Sequence, residues 1–165
     1  MKATTVKGAG RKVQSAVPAP GIPADPSFAS ADEMRQVLDR LLTVVDADSD
    51  AGPRLRAARV PHRFCFPDLD VVLNVTDARG EDHCLEWEFP DRIDWRPSMT
   101  LEMDSAVANR YLQGAENLAI ALARRRIRFQ CSDTRAALAF FPSSAGLVDS
   151  YRSLVKSDYP HLALS

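Results

Sequence analysis

The sequence contains no stretch of about 18 apolar residues, the length a helix needs to cross a bilayer, so no membrane span is expected. It also lacks the apolar core of a secretory leader, and a cytoplasmic location is the simplest expectation. Net charge is almost absent: 21 Lys and Arg against 22 Asp and Glu leave a formal charge of −1. A global electrostatic pull on nucleic acid is therefore excluded, and no nucleic-acid partner is expected. Cysteine is scarce: Cys65, Cys84 and Cys131 form no close pair and no metal-type spacing, so no metal site is expected. Each falls in a strand-like stretch, where a thiol reads as a small buried hydrophobe. Nucleotide-binding glycine motifs, a phosphate loop, HExxH and a nucleophile elbow are all missing. No cofactor follows from these residues, and no catalytic residue is assigned. His62, His83 and His161 stand singly, as structural or surface histidines usually do.

What is present divides in two. Residues 1–27 carry Lys2, Lys7, Arg11 and Lys12 and then a proline-rich run, a composition that suits a flexible tail. Residues 28–165 suit one domain with its own core. Its first element is a helix over 30–45, opened by a capping box of Ser30 and Glu33. Met34, Val37, Leu38, Leu41, Leu42 and Val45 give that helix one apolar stripe. The acids Asp46, Asp48 and Asp50 resemble the start of a calcium loop, but the turning glycine is one residue late and no closing Glu follows. A solvated loop is the better account.

Strands are expected over 62–66, 71–76 and 82–89 in meander order, with Leu85, Trp87 and Phe89 facing away from Glu86 and Glu88. Trp95 lies in a proline-bounded loop, where it caps a core or lines a pocket mouth. Met99, Leu101 and Met103 alternate as a fourth strand, and Asp104 suits a helix cap. Gly114 suits the end of that helix, and Leu118, Ala119, Leu122 and Ala123 face a second one. A strand over 127–131 and a last helix interrupted by Pro142 complete the order α-β-β-β-β-α-α-β-α. Strand and helix do not alternate, so a Rossmann fold is excluded. The sided strands imply an α+β fold with helices over one face of the sheet.

Four pieces of the chain together resemble the sterol carrier protein 2 (SCP2) sterol-binding domain family. They are MTLEM at 99–103, YLQG at 111–114, NLAIA at 117–121 and RIRF at 126–129, matching in order and spacing over roughly residues 62–155. That family usually places glycine just before the basic residue of the last strand and again at the strand's end; this chain has Arg125 and Cys131 there. The resemblance implies a five-stranded, mostly antiparallel sheet with helices on one face and an apolar cavity between. Pairing of the last two strands, also implied, would set Glu102 beside Arg126 and Arg128 as a cross-strand ion-pair ladder.

The cavity so implied would be lined by Trp87, Phe89, Met103, Tyr111, Leu118, Leu122, Phe140, Phe141, Leu147 and Tyr151, with Trp95 near its mouth. The run Arg124, Arg125 and Arg126 complements the negative end of a helix dipole, or else receives the anionic head of a guest. The expected function is carriage of a lipid or other hydrophobic small molecule: a fatty acid, an acyl-CoA, or a sterol-like or polyketide-like compound. The alternative is a cofactor-free cyclase or isomerase acting in the same cavity, with Asp104, Glu116, Tyr111 or His83 as its acid or base.

Overall fold

The computed structural model describes residues 25–90 and 95–165. Most of the expected tail, including its basic residues, lies outside the described residues. Of that tail Pro26 is held, because its carbonyl accepts from Asn109 Nδ2 at 2.9 Å.

Helix α1 (Ala31–Ala47) starts where the capping box put it. Ser30 Oγ accepts the Glu33 amide at 3.1 Å, and Glu33 Oε2 accepts the Ala29 amide at 2.6 Å, one residue before the cap. All six stripe residues are buried, each worth roughly 1.5–3 kcal/mol against exposure. Helix α2 (Ala51–Ala58) stands where a loop was expected. The acids explain it: Asp48 Oδ1 accepts the Asp50 and Ala51 amides at 2.9 and 2.7 Å, and these bonds hold its carboxyl below the usual range. Asp50 pairs with Arg54 at 2.8 Å, and Pro53 falls in the first turn, where no backbone donor is lost. The acidic run is a helix entry. Among the described residues no cluster of His, Cys, Asp or Glu could hold a metal ion.

The strands are β1 (His62–Phe66), β2 (Val71–Asp77), β3 (Leu85–Glu88), β4 (Met99–Met103) and β5 (Ile127–Cys131), in the order β3-β2-β1-β4-β5. The first three form the expected meander; β4 lies parallel to β1, and β5 antiparallel to β4. Register puts Phe64 opposite Leu73 and Leu101, and Leu101 opposite Phe129, so the apolar side chains share one face. The other face is polar. There Glu102 meets Arg128 at 2.5 Å, the expected ladder, whereas Arg126 turns elsewhere.

The remaining helices are α3 (Ser105–Leu112), α4 (Leu118–Ala123), α5 (Thr134–Ser143) and α6 (Ala145–Asp158), followed by a short 3-10 turn, Pro160–Leu162. Asp104 takes the cap position of α3, but its side chain makes no capping bond. Asp68, from the β1–β2 turn, does that job: it accepts from the Ser105 amide at 2.9 Å and from Ser105 Oγ at 2.6 Å. Pro142 stays inside α5, and the break falls at Ser144 instead. Helices α1 and α2 lie over β2 and β3, α4 and α5 over β5, and α6 packs on α1 and α3. The core fills the space between this layer and the apolar face. Among the described residues no helix is long and apolar enough to cross a membrane.

Candidate functional site

Helix α3 ends in a Schellman turn: the Gly114 amide reaches the Tyr111 carbonyl at 2.9 Å and the Ala115 amide the Arg110 carbonyl at 2.9 Å. Gly114 has φ +68°, and a Cβ there would stand 3.0 Å from Val148 Cγ1 of α6, so glycine answers both demands. This tight turn presses the following residues against α6. It also carries Glu116 into the interior, where its side chain is 2% exposed.

Two adjoining cavities lie between the apolar sheet face and the helices. The inner one, about 30 Å³, is lined by Leu38, Leu41, Leu42, Leu55, Leu73 and Met103 among others, with His62 as a polar member. The outer one, about 160 Å³, adds Gly114, Glu116, Phe140, Ser144 and Val148. Phe64, Tyr111, Leu112 and Leu147 line both and form the partition between them.

The polar members are few and specifically held. His62 Nδ1 lies 2.7 Å from the Val60 carbonyl, an acceptor only, so Nδ1 carries the proton. Burial pushes the ring's pKa down to about 4, outweighing that bond, and the neutral ring packs on Phe140 at 4.6 Å and Phe64 at 5.4 Å. Burial likewise pushes the Tyr111 phenol up. Glu116 Oε2 accepts from Arg110 Nε at 3.2 Å. Its Oε1 forms an ion pair with Arg126 Nη2 at 2.6 Å. Arg110 also meets Asp25 at 3.3 Å.

The expected lining residues separate into groups. Met103, Tyr111, Leu147 and Phe140 border the cavities. Tyr151 is fully buried behind them, and its hydroxyl donates to Asn109 Oδ1 at 2.8 Å. Phe89, Leu118, Leu122 and Phe141 pack half-buried against the core outside both cavities, Phe141 beside Phe129 at 5.8 Å. Trp87 sits at the β3 edge, its Nε1 donating to Asp39 at 2.8 Å. Trp95 lies on the opposite, polar face of the sheet. It covers the Arg63 guanidinium at 5.7 Å and donates to Glu88 at 3.2 Å, so it borders no part of the cleft.

The arginine run is divided as well. Arg126 turns to Glu116, while Arg124 and Arg125 are exposed. Arg125 has φ +57° and occupies the left-handed position of a second Schellman turn, with the Arg126 amide on the Ala121 carbonyl at 2.9 Å. The turn that glycine usually makes in the family resembled is thus made here by arginine. Of the proposed acid–base residues, Asp104 is exposed, and His83 is exposed on Asp46, 2.7 Å away. Asp46 is held below its usual range: burial opposes this, but bonds from His83, Leu85 and Cys84 outweigh it. His62, Arg110 and the leucines of α1 are site residues that sequence reasoning missed. Only the α1 stripe, read as core, pointed toward any of them.

No protein-family model matches the sequence, and no curated protein matches it. Among solved structures, the UbiJ-SCP2 ubiquinone synthesis protein matches with a TM-score of 0.52 at 11% identity, over 73% of this chain and 95% of that one. The sterol carrier protein domain 2 of Helicoverpa armigera matches with a TM-score of 0.52 at 11% identity, over 68% of this chain and 89% of that one. A sec-alkylsulfatase from Pseudomonas sp. matches with a TM-score of 0.46 at 12% identity; 60% of this chain is covered, but it spans only 14% of the sulfatase. Sheet order, helix placement and the first two likenesses agree: the chain has the α+β fold of the SCP2 domain.

Proposed function

We propose that this chain binds a hydrophobic small molecule in the cleft between the apolar sheet face and α1, α3 and α6. One observation carries the reading: two adjoining cavities run along that face, divided only by the side chains of Phe64, Tyr111, Leu112 and Leu147. The fold shared with the sterol carrier protein domain 2 of Helicoverpa armigera supports the same reading.

Neither cavity, at about 30 and 160 Å³, reaches the ≈ 300–1,000 Å³ usual for ligand pockets. A guest must therefore swing the partition aside and join the two. Tyr111 and Leu147 are single side chains on helices, and rotamer changes of that kind are common on binding. The gain is burial of the guest's apolar surface at about 25 cal/mol per Å², less the cost of immobilising it. Fatty acids, acyl-CoAs, and sterol-like or polyketide-like molecules are the classes to screen.

Val148 of α6 borders the outer cavity, so Val148→Trp and Tyr111→Trp would fill the space a guest needs. Titration with an environment-sensitive naphthalene dye should show at least a tenfold loss of affinity in both variants, with far-UV circular dichroism unchanged. Full affinity in both folded variants would place binding elsewhere. Recovery of the guest chemically unchanged separates a carrier from the cyclase or isomerase alternative.

A further inference from the structure

The polar face of the sheet carries a cavity of its own, on the far side from the cleft. There β2 and β3 pair Asn74 with Glu88 and Thr76 with Glu86. With Trp87 and Trp95 these four residues border a space of about 240 Å³. Its carboxylates are set by the fold. Glu88 Oε1 accepts from Asn74 Nδ2 at 3.1 Å and from Trp95 Nε1 at 3.2 Å, and Glu86 Oε1 accepts from the Arg79 amide at 3.3 Å. Neither Oε2 accepts a hydrogen bond from the described residues. Alternation along β3 sets the two acids on one face, about 7 Å apart at the backbone.

The lining holds two carboxylates and no cationic side chain, so it favours a positive guest. Arg63, beside it, offsets only one of the two charges. That arginine also shows which cation the wall suits. Its guanidinium lies 5.7 Å from the centre of the Trp95 ring, while Nε donates to Asn74 Oδ1 at 2.9 Å and Nη2 to the Trp95 carbonyl at 3.2 Å. A quaternary ammonium would match the charge but bring no N–H to the open carboxylate oxygens. A neutral amide would bring N–H donors but leave the charge unmatched. A planar guanidinium supplies charge, donors and a surface that stacks on indole.

We infer that this cavity binds a guanidinium group, stacked on Trp95 and held by Glu86 and Glu88. The site is separate from the cleft and does not depend on the binding reading above.

Both tryptophans of the chain border the cavity, so their emission reports its occupancy. The full chain is titrated at constant ionic strength with ethylguanidinium, ethylurea and tetramethylammonium, all at millimolar levels. Ethylguanidinium should change the emission saturably. It should bind at least tenfold tighter than uncharged ethylurea, and severalfold tighter than tetramethylammonium. Glu86→Gln and Glu88→Gln should each weaken it by about three- to tenfold, the range for a charged hydrogen bond discounted for exposure, with circular dichroism unchanged. A blocked Gly-Arg-Gly tripeptide separates the two sources of the group. Tighter binding than ethylguanidinium points to an arginine of a partner protein, and equal binding to a free small molecule; either result sustains the inference. Tetramethylammonium binding as tightly as ethylguanidinium overturns it. So does an affinity unchanged in both folded Gln variants, or no saturable change with either ethylguanidinium or the tripeptide.

Discussion

Removal of the Asn109 side chain is the sharpest test of how α3 is held. Asn109 is fully buried and uses its entire hydrogen-bonding capacity. Its amide donates to the Pro26 and Leu162 carbonyls, both at 2.9 Å. Its Oδ1 accepts from Gln113 Nε2 at 2.9 Å and from the Tyr151 hydroxyl at 2.8 Å. One side chain thereby ties α3 to α6, to the C-terminal turn and to the residues preceding α1.

In Asn109→Ala, Gln113 Nε2 keeps the Leu162 carbonyl at 2.8 Å, but the Tyr151 hydroxyl is left buried with no partner. An orphaned buried hydroxyl costs about 1–3 kcal/mol, and the remaining lost bonds about 1 kcal/mol each, giving roughly 4 kcal/mol. With a urea slope of about 2 kcal/mol/M, the unfolding midpoint should fall by roughly 2 M. Tyr151→Phe alone should cost only about 1 kcal/mol, since Asn109 Oδ1 keeps Gln113. The double variant should cost about 1–3 kcal/mol less than the two singles added, because the orphan is gone. Strict additivity, or a drop below about 1 kcal/mol in Asn109→Ala, would refute the network as described.

Three further predictions concern other parts of the fold. His62 has a folded pKa of about 4 against an ordinary 6.5, so below pH 6.5 the unfolded chain takes up a proton that the native chain refuses. Stability should therefore fall by about 3 kcal/mol between pH 6.5 and 4 on this account, and His62→Phe should flatten that limb in urea titrations across the range. Arg125→Gly should raise stability by up to about 1 kcal/mol, as relief of the left-handed strain outweighs glycine's extra chain entropy; a loss measured by thermal unfolding would contradict the turn. A Cβ on Gly146 would stand 2.7 Å from Ala51 Cβ, so Gly146→Ala should cost about 1–3 kcal/mol by parting α6 from α2, and a neutral result would contradict that packing.

The elements most legible in the sequence were those whose signals are local. Helix α1 could be read because a capping box and a six-residue stripe agree, and the strands because their alternation matches the register later found. Helix α2 was not, because Gly52 and Pro53 resemble a stop, and its start depends on Asp48 satisfying two amides. Pro142 resembled a break for the same reason, yet the break fell at Ser144. The candidate site was harder still. Glu116 is buried only because Arg110 of α3 and Arg126 of the α4–β5 turn converge on it, and nothing local to any of the three announces that meeting. Trp95 shows the converse: its apolar bulk suggested a pocket, but its neighbours are Arg63 and Glu88 on the polar face.

Native mass spectrometry of the chain purified from its own host, followed by solvent extraction, tests the central claim most directly. The account predicts one apolar molecule per chain, released on unfolding and unchanged by incubation with the protein. A bare chain that also ignores fatty acids, acyl-CoAs and sterol-like molecules would contradict it, and would make the two cavities no more than gaps in a closed core.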